Sequence, residues 1–377
     1  MIRTSLLTLA VLLCCTACRS TTPVVRVVQP IVYIGNGAGN ADEPLRAYRL
    51  NPSTGALTLQ NETPGLLGPN YVATSPDGQR LYSVSSAPEG GQGVVSAFIR
   101  NTDTQALTLL NQQPTMGNGP CYVAVDAEGE WVMVANYSSG NVALYPLTET
   151  GALKPASDVQ QHSGSSIDTD RQNGPHAHYI DVDPSNRFAL VNNLGTDEIW
   201  VYALNKQDGT LDSVHTAQAV PGSGPRHLAF DYRGSVAYVL NELTATITAY
   251  RFAANGAMTP FQTLPIVPED ADGFNKSADI HVHPSGRFLY ASNRGDFDSI
   301  AAYRINRDGT LIPLHHTTEG IVWPRNFAID PTGQIMLVAN RRADTVTSYR
   351  IDPNTGELTL LRTTDGIAQP VVVKFAP

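Results

Sequence analysis

His178 and Glu242 are the two side chains of this sequence best suited to move a proton, and both fall in step with arginines. An imidazole or a carboxylate within hydrogen-bond reach of a water can activate it as a nucleophile. Guanidinium groups such as Arg226 and Arg294 grip carboxylate or phosphate bidentately. An arginine beside a carboxylate also holds it ionised. Together these four residues suit a small anionic ligand and the activation of water. The pair Arg226 and Glu242, facing each other across a hairpin, also reads as a structural ion pair.

The elements that must position these groups come from a repeat of roughly 50 residues. Its clearest copies are 224–241 and 324–340, and others begin near Gly68, Gly119, Gly174 and Ser277. Each copy has a short apolar strand, a turn such as Asp330-Pro-Thr-Gly333, and a second strand ending in Asn. A third, alternating strand and a fourth after Gly-x-Leu complete it. Proline presets φ and Gly or Asn accepts positive φ, so these are turn residues rather than a ligand loop. Four short strands at this period predict a propeller blade.

Six copies are complete. The first blade has its second, third and fourth strands near 31–35, 46–50 and 56–60, and its missing first strand is 370–375. The expected fold is therefore all-β: a seven-bladed β-propeller with four-stranded blades, closed by the C-terminal strand completing the first blade. Closure removes free sheet edges. A length of 377 residues would otherwise suggest two or three domains. The repeat reduces this to one, spanning 31–377.

Aligning the copies on their turns turns sequence into rim geometry. The position five before the turn Asp is Asn70, Cys121, His178, Arg226, Ala278 and Arg325; eight after the turn Gly stand Ser86, Tyr137, Leu194, Glu242, Arg294 and Arg341. Both positions lie at the open end of the hairpin. The ring is thus expected to bring His178, Arg226, Glu242 and Arg294 to one central mouth, with Arg325, Arg341 and Tyr137 as further binding groups. His176 joins them when Gly-Pro is the anchor, and in a regular strand it shares a face with His178. Two His at that spacing could serve zinc, but no third ligand follows, so no metal and no cofactor are expected. His281 and His283 read as structural, the recurring Asn136, Asn193, Asn241, Asn293 and Asn340 as backbone caps, tyrosines and tryptophans at blade ends as core, and Cys121 as a small buried residue.

The N-terminus reads as a targeting segment: Arg3, an apolar run from Leu6 to Leu13 too short to span a bilayer, then Cys14-Cys15-Thr16-Ala17-Cys18. Small residues ending in Cys resemble a bacterial lipobox, with Cys18 lipidated, 1–17 removed and 18–30 a tether. Arg19 points to the outer membrane, facing the periplasm. The mature chain keeps 24 basic against 34 acidic residues, a formal −10. That balance argues against nucleic acid as a partner. The expected protein is a monomer touching the membrane only through its anchor. With Cys18 acylated, Cys121 has no partner, which excludes a disulfide framework.

The segments Gly224-Pro-Arg-His-Leu, Asn241-Glu-Leu243, Ser292-Asn-Arg-Gly295 and Pro324-Arg-Asn-Phe-Ala-Ile-Asp-Pro-Thr-Gly333 resemble the seven-bladed lactonase family. That family includes propeller-type 6-phosphogluconolactonases and carboxy-cis,cis-muconate cyclases. The resemblance implies a catalytic set at His178, Arg226, Glu242 and Arg294 and no required metal. Either His178 or Glu242 would activate water, while Arg226 and Arg294 hold the substrate's anionic group and the developing oxyanion. The export signal leaves the lactone open between phosphorylated and unphosphorylated. Alternatives are a muconate-type cyclase using the same groups and a non-catalytic propeller that binds a ligand or protein partner.

Overall fold

Four of the turns predicted by the repeat are locked by their own aspartates. Asp126, Asp183, Asp231 and Asp330 each accept two backbone N–H groups from the start of the following strand; in Asp330 the donors are Gln334 at 2.7 Å and Ile335 at 2.6 Å. The tight return needs positive φ, which Gly234 supplies at 68° and Gly333 at 73°. In the fourth blade Asn186 does the same at 57°. The second strands are buried along nearly their whole length, and Val236–Asn241 and Ile335–Asn340 throughout. Such a strand is covered on both faces by neighbouring blades.

The structure, a computed structural model, describes residues 29–37, 43–86 and 91–377. The expected leader at 1–17, and the tether as far as residue 28, lie outside the described residues. The described chain forms seven antiparallel sheets of four strands each, with no helix among the described residues. The first sheet pairs the C-terminal strand Pro370–Phe375 with Ile31–Asn36, in the register Val32↔Phe375 and Ile34↔Val373. The ring closes as the repeat predicts.

Hydroxyls tie one blade to the next. Tyr82 donates to the Gly151 carbonyl at 2.9 Å, Tyr238 to Gly309 at 2.9 Å, and Tyr290 to Gly356 at 2.8 Å. Ser348 of the last blade donates to Gly55 of the first at 3.0 Å. Gly309 and Gly356 thus mark blade-to-blade contacts as well as turns. Among the recurring asparagines, Asn136 caps Thr115 O at 2.7 Å and Asn340 caps Gly320 O at 3.0 Å, whereas Asn241 departs from the expected capping role and donates to the hydroxyls of Thr246 and Thr248.

The closing strand is expected to be essential for cooperative folding. Truncation after Gln369 would expose the edge of Ile31–Asn36 and the apolar surface that Val372 and Val373 cover. The expected outcome is a chain that aggregates on size-exclusion chromatography and melts at least about 10 °C lower. A truncated chain that stays monomeric with an unchanged melting curve would contradict this role.

Candidate active site at the mouth of the ring

The inner strands do not run regularly into the mouth. In blade after blade the first strand bulges against the second by one residue. The pairing skips Cys121 between Pro120↔Asn136 and Tyr122↔Ala135, and His178 between Ala177↔Asn193 and Tyr179↔Asn192. It likewise skips Arg226 between Pro225↔Asn241 and His227↔Leu240, and Arg325 between Pro324↔Asn340 and Asn326↔Ala339. The register position that singled out these residues is therefore the bulge position. A bulge leaves its residue out of the ladder and re-aims its side chain.

Glu242 follows the second strand of blade five, its N–H bonded to the Gly224 carbonyl at 2.7 Å. The residue is 5% exposed, and its carboxylate meets three guanidinium groups. Oε2 accepts from Arg226 Nε at 2.9 Å and lies 3.3 Å from Arg294 Nη2; Oε1 accepts from Arg171 Nη2 at 2.8 Å. Burial opposes ionisation, but Arg294, Arg226 and Arg171 outweigh it and hold the carboxyl well below the usual range. Arg294 also donates to Ser277 O at 2.7 Å, and its buried Nε has no partner among the described residues.

His178 lines the same cavity, with Nδ1 3.8 Å from Cys121 Sγ and its ring edge-on to Tyr137. Burial, followed by the charges of Arg226 and Arg325, pushes its pKa well below the ordinary histidine value. The imidazole is neutral, and its Nε2 makes no hydrogen bond to another described residue. Burial likewise pushes the Cys121 thiol up to about 12, so it is no thiolate nucleophile.

The cavity measures about 440 Å³. Its walls include His178, Glu242, Tyr137, Arg294 and Arg325, together with Arg171, Lys276, Phe274 and Trp323. Four cationic side chains (Arg171, Lys276, Arg294, Arg325) face one carboxylate. Arg325 is half-buried and has no ion pair or hydrogen bond among the described residues. Loss of water and then the neighbouring Arg226, Arg294 and Arg341 push its pKa down to about 9. This is the local field of an anion-binding pocket within an acidic protein.

Three expected binding or catalytic groups stand elsewhere than the register implied. Arg226 is 2% exposed and stands off the cavity wall, where it bonds the Glu242 carboxylate. His176 precedes the strand, and the bulge at His178 breaks the alternation that would put the two imidazoles on one face. It stacks on Tyr137 with centroids 4.4 Å apart and donates from Nδ1 to Tyr137 O at 2.9 Å. It buttresses the wall from behind. Arg341 stands further out, near Gly37, and reaches the cavity only through its charge. Among the described residues, no group of three or more His, Cys, Asp or Glu is arranged to hold a metal ion.

Arg171 and Trp323 escaped the register because they lie on connecting loops. Arg171 comes from the long segment between Asp158–Gln161 and Ala177–Val182, whose extra length was its one visible signal. Trp323 does not join the apolar core. It takes φ of 51°, is tied by its N–H to Asp298 Oδ2 at 2.6 Å, and carries the Arg342 guanidinium 3.3 Å over its ring.

The two charges predict opposite stability effects. Glu242→Gln leaves Arg226 and Arg294 buried without a counter-charge and should cost about 3–5 kcal/mol in urea unfolding. Because the folded pKa is depressed, that stability is full above the unfolded carboxyl value and fades as pH falls below it. Arg325→Met removes an uncompensated cation and should be neutral or stabilising by about 1 kcal/mol. A loss above about 2 kcal/mol in Arg325→Met would mean that the guanidinium has a structural partner.

The family described as lactonase, seven-bladed β-propeller, matches residues 31–375. The chain is 34% identical over 347 residues to a 6-phosphogluconolactonase of Bacillus subtilis, covering 92% of this chain and 98% of that one. A solved structure from Bacteroides fragilis, described as a candidate 6-phosphogluconolactonase, superimposes with a TM-score of 0.86 at 33% identity, covering 94% of this chain and all of that one. The periplasmic gluconolactonase of Pseudomonas aeruginosa gives 0.86 at 26% identity, over 93% of this chain and 99% of its own. With its ring, its closing strand and its mouth all in place, the chain belongs to the seven-bladed β-propeller lactonase family.

Proposed function

We propose that this protein hydrolyses a small anionic sugar lactone at the mouth of the ring, with His178 as general base. The observation that carries this reading is a neutral imidazole with a free nitrogen in a cavity of four cations and one carboxylate. Glu242 is the poorer base, since both its oxygens are engaged by guanidinium groups and its proton affinity is low. Similarity to the Bacillus subtilis and Pseudomonas aeruginosa enzymes supports the reaction class.

In this mechanism His178 Nε2 takes a proton from water as the water oxygen attacks the lactone carbonyl carbon. The carbonyl oxygen becomes an oxyanion stabilised by the arginines of the wall. The tetrahedral intermediate collapses, the bond from carbon to ring oxygen breaks, and the imidazolium returns its proton to the departing alkoxide. The product is an open-chain hydroxy acid, which ionises. An anionic substrate offsets the positive field around His178, so binding raises the basicity of the imidazole where it is needed.

Turnover of a panel of sugar lactones by the chain from residue 19 onward, monitored by acid release, tests this. His178→Ala should lower kcat by about 10²–10⁴-fold. Because burial and the nearby positive charges depress the pKa of His178, kcat/KM should stay flat as pH falls from 8 to 6 and drop only lower. No lactone turned over above background, or a His178→Ala variant equal to wild type, refutes the assignment.

The same proposal puts the ring in the cell envelope as a monomer tethered through residues 18–30 to a lipid on Cys18, in the outer membrane. The apolar leader ending in small residues and Cys supports it, as does similarity to a relative described as periplasmic. Cys18→Ser should release the protein from the membrane fraction and abolish labelling by a fatty-acid probe. Unchanged membrane association of this variant would disprove the anchor.

A further inference from the structure

Directly beneath the mouth, one residue beyond each bulge, lies a second layer that plugs the axis of the ring. His227 occupies it, with edge or tilted contacts to Tyr71, Tyr122 and Tyr179 and to the ring of His178 at 5.3 Å. Its two nitrogens are both committed. Nε2 lies 3.1 Å from Arg226 Nη1, and Nδ1 lies 2.7 Å from Asp279 Oδ1. Asp279 is 1% exposed.

The hydrogen-bond chemistry leaves one arrangement. Asp279 Oδ1 also accepts the Ile280 N–H at 3.0 Å. Oδ2 accepts from Asn326 at 2.5 Å, from His281 Nε2 at 3.0 Å and from the Phe327 N–H at 3.2 Å. Surrounded by donors, this carboxyl is ionised and acts only as an acceptor. His227 must therefore carry its proton on Nδ1 and present the Nε2 lone pair to Arg226, which can only donate. Burial and then Arg226 lower the His227 pKa to about 4, in keeping with a neutral ring. Arg226 is clamped at both ends, by Glu242 on one side and by His227 and the Ala278 carbonyl on the other.

We infer that His227 and Asp279 are positioning residues for the mouth. Asp279 selects the His227 tautomer, which orients Arg226 and through it Glu242, while the same ring braces His178 from below. The two proposed working groups of the site thus share one support, sunk in the axis of the ring. Its kinetic consequence rests on the hydrolase reading above; its structural content does not.

Three variants and one spectroscopic measurement test this. His227→Gln keeps one acceptor and one donor, whereas His227→Leu keeps volume and loses both. His227→Leu should lower kcat by about 100-fold, with KM changed by less than about threefold, the signature of a misplaced group rather than lost binding. His227→Gln should recover most of that loss. A His227→Leu enzyme with wild-type kcat, or a glutamine variant as impaired as leucine, overturns the inference.

Imidazole ¹⁵N NMR of the wild-type protein should show His227 protonated at Nδ1 and bare at Nε2 between pH 5 and 8. Asp279→Asn should shift it toward the other tautomer. A wild-type His227 protonated at Nε2 overturns the inference whatever the kinetics. Absence of lactone turnover by the wild type defeats the hydrolase reading and leaves the tautomer to decide this one.

Discussion

Pairing of Pro370–Phe375 with Ile31–Asn36 is the constraint on which the rest of the molecule depends. Each blade hides its inner strands only because a neighbour covers both faces, so the seven sheets are mutually supporting. An open array would leave one blade incomplete and a strand edge free. Closure also fixes where the inner strands point. Residues from blades two to seven reach one cavity because the ring has no freedom to splay.

Within that frame the electrostatics of the mouth invert those of the protein. The chain carries a net formal charge of −9, yet cations dominate the cavity. The single buried carboxylate of Glu242 offsets only part of the charge of its three guanidinium partners, and Arg325 is left uncompensated. Two consequences follow from burial within this field. Glu242 is held ionised and serves as an anchor, while His178 is held neutral and keeps a lone pair free. Two proton-carrying side chains of similar promise are thus driven to different roles by their surroundings.

Much of this was legible in the residue order. Turn residues and the 50-residue period revealed the blades, and counting positions from each turn led to His178, Arg226, Glu242, Arg294 and Arg325 without any knowledge of the bulge that aims them. The same counting failed where it assumed regular alternation. His176 and His178 part company because an extra residue in one strand resets the pleat. It also could not assign depth: Arg226 stands off the cavity wall.

Arg171, Lys276, Phe274 and Trp323 mark the other boundary of what sequence can tell. Arg171, Phe274 and Trp323 sit on connecting loops, which obey no period, and Lys276 sits at the start of the strand Asn275–Val282, off the counted positions; their convergence depends on how blades are spaced around the axis. The order of residues determined blade number, the mode of closure and which register positions meet, because turn chemistry and strand alternation are local and repeat faithfully. Which charges neutralise one another, which histidine stays bare and which arginine is buried were decided by the tertiary structure. Those properties arise from distances and dehydration between residues as far apart in the chain as 171 and 242, or 227 and 279.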